Sequence, residues 1–169
     1  MRQSIGSTAT FNIIFIFILI VFGVLCATLS YYKAFTTNSK ILASIDKFEG
    51  YNDLSKSDIS TYLDGIGYKK GDAGCESTRN VGGSEAILVG TGTDKYNAKQ
   101  DTNYMYCVYY YADDRGKGQT DVNGNSEPIY YNYSVVTYIF VDLPILDAFR
   151  IPVHTKGERI YNFSKRVSG

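Results

Sequence analysis

No charged side chain occurs between Arg2 and Lys33, and the centre of that stretch, Phe11 to Leu29, reads FNIIFIFILIVFGVLCATL. So long an apolar run predicts a helix that crosses a bilayer, because roughly 20 helical residues at about 1.5 Å each span a hydrocarbon core of about 30 Å. Asn12, Thr28 and Ser30 fall near its ends, where polar groups cost least. Residues 1–10 are read as a short tail and 11–30 as the transmembrane helix. Beyond it Ile41, Leu42, Ile45 and Phe48 recur at helical spacing as far as Gly50, so 31–49 is read as a helical stem, with the TTNS stretch at Thr36 to Ser39 as the place where it would break. In NDLSKSDISTYLDGIGY a second, short helix is predicted, capped by Ser55 with Asp58, burying Leu54, Ile59, Leu63 and Ile66, and ended by Gly65 or Gly67.

After Gly71 the period changes to two. Ala86 to Val89 reads as a short strand and Tyr104 to Tyr111 (YMYCVYYY) as a stronger one, with a loop, TGTDKYNAKQDTN, between them. The longest strand signal covers Ile129 to Val141, with Ile129, Tyr131, Tyr133, Val135, Thr137, Ile139 and Val141 on one face, the expected core side near its end. Pro144 is expected to halt it. Phe149, Ile151 and Val153 then alternate with Arg150, Pro152 and His154, and a turn around Lys156 and Gly157 predicts a closing hairpin with Arg159 to Phe163. The fold class is α+β: a transmembrane helix continuing as a stem, then a short helix and an antiparallel β-sheet, with residues 50–169 as one globular domain.

Composition narrows the function classes. The chain has 169 residues, and all but Arg2 of its 17 Lys and Arg lie from Lys33 onward, against 17 Asp and Glu, so there is no basic field for nucleic acid. Sixteen Tyr and nine Phe supply strand formers and enough bulk for one core. A cleaved signal peptide, cut after Ser30, is the alternative to a permanent anchor, but the run is long for that. Cys26 does not fit a lipidation motif, because Leu25 precedes it where a small residue is needed. Flanking charges oppose one another: Arg2 on one side, Lys33, Lys40 and Lys47 on the other.

The cysteines tip the orientation. With Cys26 inside the span, Cys75 and Cys107 remain, either as two small core thiols or as a bridge that closes a loop of about 30 residues, stabilises by about 3 to 4 kcal/mol and persists only outside a reducing cytoplasm. The bridge places the domain on the extracytoplasmic side of a cell membrane. Within the span, Gly23 and Ala27 have the spacing that lets two transmembrane helices approach closely, and Ser30 and Ala34 roughly extend that face toward a protein partner or a second copy.

Candidate chemistry is sparse. Asp121, Asn123 and Asn125 in DVNGNSE resemble a calcium loop, but the glycine is displaced to 124 and the twelfth position is Asn132, so an Asn-Gly turn is the plainer reading. His154, the only histidine, has no nucleophile motif beside it; Asp113 and Asp114 adjoin Arg115 in a turn-like DDRGKG; VGTGTDK lacks the ending of a phosphate loop. Zinc ligation lacks closely spaced Cys or His. Neither a catalytic residue, a metal nor a cofactor is called for, and the tyrosine-rich strands are a candidate contact surface.

An N-terminal apolar helix, its polar continuation, and a C-terminal antiparallel sheet with one candidate disulfide together resemble type IV pilin-like and pseudopilin proteins and, more loosely, single-pass pilus-assembly proteins of the Tad type. The resemblance implies a subunit that works by contact. Gly6 is followed by STATFNII, and no Asp or Glu occurs before Asp46, so the processing signal and helix carboxylate usual in pilins are missing and no functional residue is carried over. The reading is a single-pass membrane protein with an exported, non-catalytic interaction domain; the alternative is a membrane-tethered ligand-binding or sensory domain.

Overall fold

A computed structural model describes residues 2–91, 97–112, 130–143 and 146–161. Span and stem are one helix, α1 (Arg2–Lys47), unbroken at Thr36 to Ser39. The hydroxyls there are satisfied within the helix: Thr37 Oγ1 donates to the Lys33 carbonyl and Ser39 Oγ to that of Phe35. From Phe11 to Leu29 the large apolar side chains stand bare, from 42% exposed at Val21 to 72% at Phe11, whereas Ile41 and Ile45 are fully buried. One helix therefore carries two exposure patterns: bare and apolar all round, as in a helix long and apolar enough to cross a membrane, and then a one-sided stripe packed against a domain. Glu49 (φ 54°) and Gly50 (φ 146°) turn the chain out of it.

Helix α2 (Asp53–Gly65) starts one turn earlier than its expected cap. Asn52 is the N-cap, with Oδ1 accepting from the Leu54 and Ser55 amides, while Ser55 Oγ accepts from the Asn52 amide. Asp58 instead accepts from Ser44 Oγ at 2.8 Å, tying α2 to α1. Ile59 and Leu63 are buried as expected; Leu54 and Ile66 are exposed. Gly67, at φ 64°, takes the left-handed position that ends the helix.

The domain's main sheet has the order β1-β2-β5-β6-β7, all antiparallel: β1 (Thr78–Val81), β2 (Ser84–Leu88), β5 (Tyr106–Ala112), β6 (Tyr130–Leu143) and β7 (Leu146–Tyr161). Strands β3 (Gly90–Thr91) and β4 (Lys99–Gln100) pair separately, inside the stretch expected to be a loop. Strand β1 is an addition: Gly82 and Gly83, both at positive φ, make the two-residue hairpin turn that joins it to β2.

The sheet is buried on both faces, so its central strands do not alternate cleanly. Tyr106, Val108 and Val135 pack with Ile41, Leu42 and Ile45 of α1 and Ile59 and Leu63 of α2. On the other face Cys107, Tyr109 and Val136 pack with Ala73, Ala86 and Leu88. The expected core face of β6 is buried at Val135, Thr137 and Ile139, but Ser134 and Val136 are buried too.

The closing hairpin is corrected. Strand β7 runs straight through Lys156 and Gly157 and pairs along its length with β6, with a bulge in which Gly157 and Glu158 oppose Tyr133 alone. Gly157 serves approach rather than a turn: a Cβ there would stand 2.8 Å from Leu42 Cδ2 and 3.3 Å from the Tyr133 carbonyl oxygen.

Candidate functional site

Stem and β7 run alongside each other, and their contacts act as a ruler. Ala34 packs with Val153 and Ile139, Asn38 Nδ2 donates to the Val153 carbonyl (2.8 Å) and to Thr155 Oγ1 (3.1 Å), and Leu42 meets Gly157. Eight helical residues, about 12 Å, match four strand residues, about 13 Å, so α1 and β7 are nearly parallel here. Asn38 is fully buried and its Oδ1 has no partner. Thr137 Oγ1 adds a bond to the Ala34 carbonyl at 3.3 Å. The Ile139 end of β6 therefore lies nearest the span.

At that end a cleft of about 450 Å³ opens between the first turns of the stem, the C-terminal end of α2 and β6. Its walls include Tyr62, Ile66, Tyr68, Tyr138 and Ile139, and Lys33 and Lys69 also line it. Tyr68 is held rigidly, for its hydroxyl donates to the Met105 carbonyl (3.0 Å) and accepts from the Tyr138 amide (3.4 Å), standing in for a ladder rung where β5 ends. Burial pushes that hydroxyl up to about 12, against the lowering effect of its bond to the Tyr138 backbone. The ring thus offers an apolar face and keeps its proton.

At the opposite end of the stem is a second polar cluster. Tyr51 and Tyr106 hydroxyls lie 3.0 Å apart, Tyr51 Oη reaches Asp101 Oδ1 at 3.4 Å, and Lys56 Nζ pairs with Asp101 Oδ2 at 2.6 Å. Burial foremost, then Tyr106 and Asp101, raises the Tyr51 pKa. Every member faces another member, so the cluster reads as a clamp joining α2 to β5 and the 100–103 turn.

Cys75 and Cys107 are bonded, with Cα atoms 5.8 Å apart. The bond fastens the segment after α2 to central strand β5, and Cys75 borders a shallow depression with Gln100 and Asn103. Gly23 and Ala27 are exposed on the bare span. Ala34, expected to extend their face toward a partner, is buried in the domain instead, because β6 and β7 cover it. His154 is exposed, with Nε2 3.2 Å from Arg79 Nη2, and burial, then Arg79, lowers its pKa. Asp113, Asp114, Asp121, Asn123, Asn125 and Pro144 lie outside the described residues. Among the described residues no three His, Cys, Asp or Glu side chains group as metal ligands.

Asn38 and the Lys33–Lys69 cleft were not legible in the sequence. Asn38 is a polar residue interrupting the stem's apolar stripe, which is a signal for a buried side-chain bond, but its partner lies 115 residues away. Compared with protein-family models, curated proteins and solved structures, the chain matches none of them.

Proposed function

We propose that this is a single-pass membrane protein whose extracytoplasmic domain is non-catalytic and works by contact with other proteins, as a pilin-like or envelope-complex subunit. The observation that carries the reading is α1: the helix that is bare and apolar from Phe11 to Leu29 is, from Ala34 to Ile45, the spine on which the sheet is built. Such a spine transmits the position of a membrane helix directly to a displayed domain. The Cys75–Cys107 bond supports an oxidising compartment for that domain.

The test uses the full chain in intact cells. A membrane-impermeant thiol reagent is expected to label Cys75 and Cys107 only after reductant is added, and a photoreactive residue at Ala27 to capture a protein partner. Labelling that requires permeabilised cells reverses the orientation, and recovery of uncrosslinked monomer alone removes the contact role. A second reading, a membrane-tethered ligand-binding domain, is favoured by the cleft of about 450 Å³. A thermal-shift screen of the detergent-solubilised chain against small soluble ligands separates the two, since a contact-only domain does not respond.

A further inference from the structure

We infer that one rim of the domain, Ile66 and Ile151 together with Tyr31, Tyr32 and Phe35 of α1, is a second membrane contact, seated in the interfacial layer of the leaflet on the domain's side. The inference rests on the membrane reading and adds a surface and its occupant to it. Its first support is where bare apolar side chains occur. Among the described residues beyond Leu29, the large apolar side chains left exposed are Tyr31, Tyr32, Phe35, Leu54, Ile66 and Ile151. All but Leu54 lie at the end nearest the span. Ile66 lines the cleft with Ser30, Tyr32 and Lys33, and Ile151 is the ladder partner of Ile139, which packs on Ala34.

The second support is depth. The apolar run stops at Leu29, and an interfacial layer of about 5 to 7 Å lies beyond the hydrocarbon. At about 1.5 Å per residue, Tyr32 and Phe35 stand about 5 and 9 Å past Leu29, and helical side chains lean back toward the N-terminus, here toward the bilayer. Val153 packs with Ala34, and Ile151 is two strand residues, about 7 Å, nearer the span, which brings it level with Ser30. The β6–β7 ladder continues in the same direction to Leu143 and Leu146. Leu54 is the contrast: its neighbour Ser55 accepts at its carbonyl from Ser44 Oγ, about 22 Å past Leu29 and clear of the layer. Helix α1 has no break between Leu29 and Ala34, so the rim is held at headgroup height, where amphipathic tyrosine rings belong. Span and rim then hold the domain against the bilayer and leave the Leu54 end displayed to partners.

The chain contains no tryptophan, so each single-tryptophan variant of the full chain reports one site. In phosphatidylcholine vesicles brominated in the first half of the acyl chains, Leu25→Trp, bare on the span, sets the full quenching of fluorescence. Ile66→Trp and Ile151→Trp, with lipid on one side only, are expected to show about half of it, and Leu54→Trp none. Because tryptophan itself favours the interface, the three domain sites are also tested as cysteines in a Cys26→Ser background, in phosphatidylcholine nanodiscs. A charged thiol reagent leaves water at a high cost, so Leu54→Cys is expected to label about tenfold faster than Ile66→Cys or Ile151→Cys. The three positions are 65%, 47% and 44% exposed in the protein's own fold, so the fold alone does not produce that difference. Quenching and labelling at Ile66 and Ile151 that match Leu54, with Leu25→Trp still quenched, overturn the seat alone. An unquenched Leu25→Trp defeats the membrane reading as well.

Discussion

Replacing Gly157 by Ala tests whether the stem's docking, rather than a turn, dictates that glycine. The added Cβ would stand 2.8 Å from Leu42 Cδ2 and 3.3 Å from the Tyr133 carbonyl oxygen, and Leu42 is 5% exposed with little room to retreat. Overpacking of this kind costs about 1 to 3 kcal/mol. Leu42→Ala alone removes a buried side chain and costs about 2 to 5 kcal/mol. Together the two changes relieve each other, because the methyl added at position 157 enters space that Leu42 vacates, so the double variant is expected to lose less than the sum by about 1 to 2 kcal/mol, within the range seen for contacting pairs. At about 2 to 4 °C per kcal/mol for a chain of this size, the relief is several degrees in Tm. The assay is thermal unfolding of the full chain in detergent, followed by the near-ultraviolet dichroism of its tyrosines, which reports the domain rather than the span. Strict additivity would refute the argument, since a glycine needed only for the bulge would suffer equally whatever stands at 42.

Three further outcomes follow from the same contacts. Asn38→Ala removes the side-chain bonds to Val153 and Thr155 and is expected to cost about 1 to 3 kcal/mol and speed amide exchange in β7; unchanged exchange there would show that the stem is held by apolar packing alone. Cys75→Ser/Cys107→Ser opens a loop of sequence separation 32, for which the chain-entropy estimate is about 3.7 kcal/mol, and reductant should lower the unaltered chain's Tm by the same amount, whereas a Tm insensitive to reductant would contradict a stabilising bridge. His154 has a lowered pKa, caused by burial and then by Arg79, so its protonation favours the unfolded chain. Its contribution is present above the ordinary value near 6.5 and is lost as pH falls through the lowered one, and His154→Gln should flatten that part of the stability profile.

What could be read from the sequence was what depends on local pattern. The bare span, the stem stripe of Ile41, Leu42 and Ile45, and the tyrosine-rich strand were legible because each repeats one physical environment over many residues. The continuous stem was legible too, and Thr36 to Ser39, the one stretch that could have broken it, stays helical because the Thr37 and Ser39 hydroxyls bond back to the preceding turn and Asn38 gains a tertiary partner that a propensity argument does not see. The turn expected at Lys156 and Gly157 failed for a related reason: a glycine that permits a helix to approach looks, in one dimension, like a glycine that permits a reversal. The cleft escaped entirely, since Lys33, Ile66, Tyr68, Lys69 and Tyr138 come from three segments that only the packing of α2 against the stem brings together.

The continuity of α1 limits the partners that Gly23 and Ala27 can receive. Positions 23, 27 and 34 lie within about 40° of one another around a helix of 100° per residue, so the small-residue face points to the same side as Ala34, which carries the sheet. Between Leu29, where the apolar run ends, and the buried Ala34 there is little more than one turn of helix, with no irregular residue to act as a hinge. Two copies joined in parallel and symmetrically through Gly23 and Ala27 would each direct a domain into the space occupied by the other, because close helices stand only about 8 to 10 Å apart. The small-residue face and the sheet therefore share one side of α1, so a parallel, symmetric pairing through Gly23 and Ala27 conflicts with the position of the sheet.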